Sequence, residues 1–179
     1  MKKLFLLMAA AFLVVSCGEK QADTSVDETP VAEETVDTLV VEETDAVDAT
    51  STDPNVANLV IEGDDQMKFN VNELKVKAGQ KVKLTLKHVG TMGTDVMGHN
   101  WILLKSGTDV HAFGMAAVTA KDNDYIPAEM NDNIIVHTKL IGGGESVTIE
   151  FDAPEAGVYD FLCSFPGHFS VMQGKFIVE

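Results

Sequence analysis

Hydrophobic and polar residues alternate strictly over several short stretches of this chain. Lys81-Val-Lys-Leu-Thr-Leu-Lys87 places Val82, Leu84 and Leu86 on one face. Ser146-Val-Thr-Ile-Glu-Phe151 repeats the pattern. A period of two residues is that of a half-buried β-strand. Turn signals bound the runs: Ala78-Gly79, Gly142-Gly-Gly144 and Ala153-Pro-Glu-Ala-Gly157. In Val96–Leu104 the same phase groups His99, Trp101 and Leu103, and in Gly157–Cys163 it groups Tyr159, Phe161 and Cys163. Between about Thr108 and Lys121 the period changes, and Val110, Phe113, Gly114 and Ala117 form a helical stripe. These elements predict an all-β, Greek-key β-sandwich with one short helix in a sheet-to-sheet crossover. The polar stretch Asp122–Asn133, with Pro127 inside it, reads as loop.

The first 55 residues follow other rules. Lys2 and Lys3 precede the apolar run Leu4–Val15, which is too short to span a bilayer and has the form of a secretion leader. Ser16-Cys17 at its end resembles a bacterial lipobox. That resemblance implies cleavage before Cys17 and acylation of its thiol and amino group, with more than one chain giving a stable anchor. Residues 18–55 hold twelve acidic residues against Lys20 alone, have no aromatic residue, and repeat Val26-Asp-Glu-Thr, Ala32-Glu-Glu-Thr and Val41-Glu-Glu-Thr. Such a segment lacks the apolar surface to offset its ordering entropy. The expected division is therefore a leader over 1–16, a lipidated Cys17 with a disordered acidic tether to 55, and one domain over 56–179. Fully extended, the tether would reach roughly 125 Å.

The net charge is −15 and the chain contains no arginine. A nucleic-acid partner is excluded, because phosphate contact needs basic surface.

The candidate chemistry lies in Cys163-Ser-Phe-Pro-Gly-His168-Phe-Ser-Val-Met172. A thiolate, an imidazole and a thioether on one loop form a soft donor set. It disfavours magnesium and calcium and points to copper; zinc takes thiolate and imidazole but rarely thioether. Two His, one Cys and a weak axial Met make the blue-copper arrangement, so one further His is needed. Strand phase selects His99, which shares a face with Trp101. His111 falls beside the helical stripe, His137 opposite Val136, and His88 ends a strand, where it could titrate near the site but core or surface packing is the better expectation. The only other cysteine is Cys17. If it is acylated, Cys163 has no disulfide partner, and a metal would protect a thiol exposed to an oxidising compartment.

Four segments carry a resemblance to a known family: Gly63-Asp-Asp-Gln-Met-Lys-Phe-Asn70, Val96-Met-Gly-His-Asn-Trp101, His137-Thr-Lys-Leu-Ile-Gly142 and Cys163-Ser-Phe-Pro-Gly-His168. The domain resembles the azurins, small bacterial cupredoxins, and the gaps of four residues from Cys163 to His168 and three from there to Met172 have the azurin spacing. The resemblance implies one type 1 copper site per chain. It implies His99, Cys163 and His168 as equatorial ligands, Met172 as axial ligand and the Gly98 carbonyl as a distant opposite contact. Asn100 would join the ligand loops and place a hydrogen bond near the Cys163 sulfur. The ring edge of His168 would reach the surface in an apolar patch with Met67, Met97 and Met115. Azurins also carry a disulfide whose positions here are Ala57 and Gln80, so that staple is missing.

The function implied is one-electron transfer between redox proteins such as c-type cytochromes, a peroxidase or a terminal oxidase. Neither an enzymatic reaction nor a small-molecule substrate is expected. The competing reading is a copper carrier or buffer. The place of work would be a bacterial membrane, and Gly18 after the lipidated Cys points to the outer membrane, facing the periplasm.

Overall fold

The computed structural model describes residues 53–179. The expected leader, the lipidated Cys17 and the tether as far as residue 52 lie outside the described residues.

Eight strands form two sheets. Strands β1 (Val56–Gly63), β3 (Lys81–His88) and β6 (Ser146–Asp152) make a three-stranded sheet in the order β1-β3-β6. Strands β2 (Glu73–Val76), β4 (Ile102–Leu104), β5 (Ile134–His137), β7 (Gly157–Leu162) and β8 (Gln173–Val178) make the second, in the order β2-β8-β7-β4-β5. The chain passes between sheets from β1 to β2, β2 to β3, β3 to β4, β5 to β6 and β6 to β7, as a Greek-key sandwich does. β1 and β3 run parallel, while β3 and β6 are antiparallel with Leu84 opposite Ile149.

The alternation read in β3 is the alternation observed. Val82, Leu84 and Leu86 have no exposed surface, whereas Lys81, Lys83 and Lys87 face water. Lys81 pairs across the sheet with Asp152 at 2.8 Å, an exposed contact of small energetic weight. Trp101 sits at the centre of the core, with the rings of Phe161, Phe151 and Phe176 at centroid distances of 5.8, 6.1 and 6.1 Å.

β4 departs from simple alternation. Not only Trp101 and Leu103 but also Ile102 and Leu104 are fully buried. The reason is a second apolar layer outside the five-stranded sheet, where Ile102, Leu104 and Leu162 meet Phe113, Ile126 and Phe169. Phe113 comes from helix α2 (Val110–Ala117), whose buried residues are the predicted stripe members Phe113, Gly114 and Ala117. The Asp109 side chain caps it by accepting a hydrogen bond from the Ala112 backbone N–H at 3.0 Å.

The helix is shorter than the stripe predicts. It lies between β4 and β5, neighbours in one sheet, and not on a passage between sheets. It covers the outer face of β4, which is why both faces of that strand are apolar. A further one-turn helix, α1 (Thr94–Met97), precedes His99. The expected loop after α2 contains two 3-10 turns, Lys121–Asn123 and Ala128–Asn133, around the buried trio Tyr125-Ile126-Pro127.

Among the described residues Cys163 is the only cysteine, and it is unpaired. Ala57 is buried on β1. Gln80 ties the entrance of the domain without a disulfide: its Nε2 donates to the Pro54 carbonyl at 2.9 Å, and its Oε1 accepts from the Lys77 N–H at 2.8 Å.

Gly114 lets α2 lie directly on the loop after β7. A Cβ there would sit 2.2 Å from Phe169 Cγ. Gly114→Ala should therefore lose stability, by up to about 2 kcal/mol net: overpacking costs about 1–3 kcal/mol and improved helix propensity returns about 1. Urea unfolding should show a lower midpoint with an unchanged slope; an unchanged midpoint would contradict the close packing.

Candidate metal centre

β4 and β7 are antiparallel neighbours, with Ile102 opposite Leu162. The residues just before β4 and just after β7 therefore come to the same end of the sandwich. His99 and Cys163 occupy those positions. His99 is held by a two-bond bridge to Ile141, its N–H and C=O each bonded at 2.9 Å. The loop from β7 to β8 then returns His168 and Met172 to the same place. The Met172 carbonyl accepts from the Cys163 N–H at 2.9 Å, and the Met172 N–H donates to the His168 carbonyl at 2.7 Å. Gly167 takes φ 85°, which favours glycine, and starts the 3-10 turn His168–Ser170.

The donor atoms of His99, Cys163 and His168 all lie within 4.8 Å of one another. Cys163 Sγ is 3.9 Å from His99 Nδ1, 3.6 Å from His168 Nδ1 and 3.9 Å from the Gly98 carbonyl oxygen. Nitrogen and thiolate donors bound to one small ion at about 2.0–2.3 Å would stand roughly 3.5–3.8 Å apart, so the spacing fits a shared metal. Cys163, His99 and Met172 have no exposed surface.

The tautomer of His99 is set by its other nitrogen. Nε2–H donates to the Asp64 carbonyl at 2.9 Å, so the Nδ1 lone pair faces Cys163. Burial, above all, lowers the His99 pKa. His168 is brought down to about 4, by burial first and then by the neighbouring imidazoles of His99 and His88. Both rings are thus neutral and able to ligate at pH 7. Burial raises the Cys163 thiol to about 11, partly offset by hydrogen bonds from the Asn100 and Phe165 backbone N–H groups. A metal ion supplies the positive charge that a buried thiolate lacks here. The donor set and its burial therefore fit a soft ion such as copper.

The expected hydrogen bond from residue 100 to the sulfur comes from its backbone. Its side chain does the joining: Asn100 Oδ1 accepts from the Ser164 N–H at 2.8 Å, and Asn100 Nδ2 donates to Ser164 Oγ at 2.9 Å.

A family model of copper-binding proteins, the plastocyanin/azurin family, matches residues 55–179. The chain belongs to this family. Azurin-1 of Alcaligenes xylosoxydans xylosoxydans is 38% identical over 118 residues, which is 64% of this chain and 91% of that protein. Outer membrane protein H.8 of Neisseria meningitidis serogroup B is 39% identical over 118 residues, 64% of this chain and 63% of that protein. Among solved structures, auracyanin A, described as a "blue" copper protein of Chloroflexus aurantiacus, superposes with a TM-score of 0.62 at 35% identity, covering 69% of this chain and 99% of that one. Copper is accordingly the metal of this plastocyanin/azurin-family centre.

Two expectations change. The His168 ring edge is not an open window: the residue is 2% exposed, with the Phe165 ring at 4.7 Å. The left-handed turn at Gly167 tucks the ring inward. Among the described residues its Nε2 has no hydrogen-bond partner, yet the Trp101 indole nitrogen alone is a sealed side-chain polar atom without one. The remaining exposure of His168 therefore includes Nε2.

His88, in turn, is more than packing. It stacks on His99 at 4.3 Å, its Nε2 lies 2.7 Å from the Met97 carbonyl, and its Nδ1 accepts from the Gly90 N–H at 3.1 Å. A signal for this existed, since His88 continues the inward phase of Val82, Leu84 and Leu86. His111 and His137 are exposed, as read.

These shifts set how copper-free protein responds to pH. Between 6.5 and about 4, the unfolded chain takes up a proton at His168 that the fold refuses. Acidification through that window should remove about 3 kcal/mol from His168 alone. At the other end, the unfolded chain releases the Cys163 proton above 9.0 while the fold keeps it to about 11, so stability should fall again there. Urea midpoints measured from pH 4 to 11 should show a plateau between; a flat profile through the acid window would contradict the buried neutral imidazoles.

Proposed function

We propose that this protein is a one-electron carrier. Its type 1 copper site would be held by His99, Cys163, His168 and Met172, with the Gly98 carbonyl as a more distant contact. The observation that carries this reading is the meeting of two neutral imidazole Nδ1 atoms and one buried thiol at a single fully enclosed point. When bound, copper supplies one-electron redox chemistry. The residues supply fixed positions: His99 is locked through Asp64 and Ile141, and Cys163, His168 and Met172 through one hydrogen-bonded loop. A site that cannot rearrange keeps the nuclear cost of each transfer low. The donors lie beneath the surface, with no room beside them for a substrate evident from their burial, which favours a carrier over an enzyme.

Electrons enter and leave on the side of His168. Met67, Met115 and Val171 are 40%, 55% and 61% exposed, and Met97 is half-buried. Apolar surface of this kind suits brief docking with small contact areas. The partners are redox proteins of the class of c-type cytochromes, a peroxidase or a terminal oxidase. We further read residues 1–16 as a leader, Cys17 as a lipid anchor, 17–55 as the tether and 56–179 as the working domain. The anchor would hold the domain on the outer membrane, facing the periplasm. The lipobox-like sequence supports this, as does similarity to a protein named for the outer membrane.

Copper-loaded protein should be intensely blue, and Cys163→Ser should lose the colour and most copper affinity; a blue Cys163→Ser protein would refute the assignment. Met172→Leu should keep the colour and shift the midpoint potential, and an unmoved potential would remove Met172 from the donor set. Copper uptake at pH 7 should release about one proton per ion, from the Cys163 thiol, measurable by calorimetry in buffers of different ionisation heat.

A further inference from the structure

Two consecutive residues with side chains, Asp124 and Tyr125, occupy the left-handed region at φ 51° and 59°. For a bulky aromatic residue this is an outlier that its surroundings must hold in place. The turn follows the 3-10 segment Lys121–Asn123 and is remote in sequence from His99 and Cys163.

Its backbone aims two successive carbonyls at the ligand loops. The Asp124 carbonyl accepts from Asn100 Nδ2 at 2.9 Å. The Tyr125 carbonyl accepts from the Ser164 hydroxyl at 2.7 Å. Asn100 and Ser164 directly follow His99 and Cys163, bond to each other and are fully buried. The Tyr125 ring packs edge-on against Phe165 at 5.0 Å, and Phe165 lies 4.7 Å from His168. The Asp124 carboxylate also accepts from the Leu140 N–H at 3.3 Å. The turn bonds to or packs against a neighbour of each of the three donors.

We infer that the Asp124–Tyr125 turn is a positioning device for the metal centre. It sets the separation of the His99 and Cys163 loops. Relaxing either residue to negative φ would swing its carbonyl away and leave the buried Asn100–Ser164 pair short of acceptors. The chain accepts an unfavourable backbone to keep them supplied. This inference rests on the copper reading above.

The test compares Tyr125→Ala with Tyr125→Phe in the full chain. Tyr125→Ala should shift the visible thiolate-to-copper band and the midpoint potential. In copper-free protein it should speed amide exchange at Ser164 and Phe165 about tenfold, as expected when local support is lost. Tyr125→Phe keeps the ring and should match the parent in all three. Should Tyr125→Ala fail to fold, Tyr125→Leu keeps buried bulk and carries the same expectation. A Tyr125→Ala or Tyr125→Leu protein that unfolds earlier but keeps band, potential and exchange unchanged would reduce the turn to a structural role and overturn the inference. A parent protein that binds copper without turning blue would instead overturn the copper reading, and the exchange rates would still judge the turn.

Discussion

The antiparallel pairing of β4 with β7 is the joint on which the rest of this molecule depends. Two short runs, Ile102–Leu103 and Phe161–Leu162, are held side by side. That register alone brings a histidine before one strand to a cysteine after the other, though they are remote in sequence. Both strands are apolar on two faces at this point, because the sandwich core lies on one side and helix α2 on the other. A one-residue slip would exchange the two sets of side chains between the core and the outer layer and leave both mispacked. The centre is thus built where the sheet is packed on both faces.

Burial then does chemical work. Water is excluded, so the imidazoles stay neutral and the thiol stays protonated. Each is the state that burial without a metal prefers. The Cys163 thiol would give up its proton to a soft cation at the point that the imidazole nitrogens of His99 and His168 already face. The same exclusion makes the supporting hydrogen bonds matter. The Asp64 carbonyl fixes the His99 tautomer, and Asn100 with Ser164 joins the two ligand loops. Each is a buried polar contact that would be costly to leave unmade.

Much of this is legible from the chain. The alternation of Lys81–Lys87 gives a strand with the correct inward face, and the stripe Phe113, Gly114, Ala117 gives the helix and the face it buries. The Cys163–Met172 spacing gives the donor loop, and phase with Trp101 gives His99, because inward residues at strand ends have few places to go. The same rule reaches His88, one period beyond Leu86, although a histidine at a strand end reads more readily as packing. The His168 ring is less exposed than its apolar neighbours suggest. Only the left-handed turn at Gly167 shows which way the ring is folded.

What the sequence determines by itself is local: period, turn chemistry, the softness of the donor set and the spacing within one loop. These depend on residues a few positions apart. What only the tertiary structure decides is which distant backbone groups face that loop. The Asp64 carbonyl behind His99 and the Asp124 and Tyr125 carbonyls behind Asn100 and Ser164 are main-chain atoms. Every residue has a carbonyl, so no residue type announces one that is used. Its direction is set by φ and ψ under the constraint of the whole packed core, and neither angle is written in the identity of Asp124 or Tyr125.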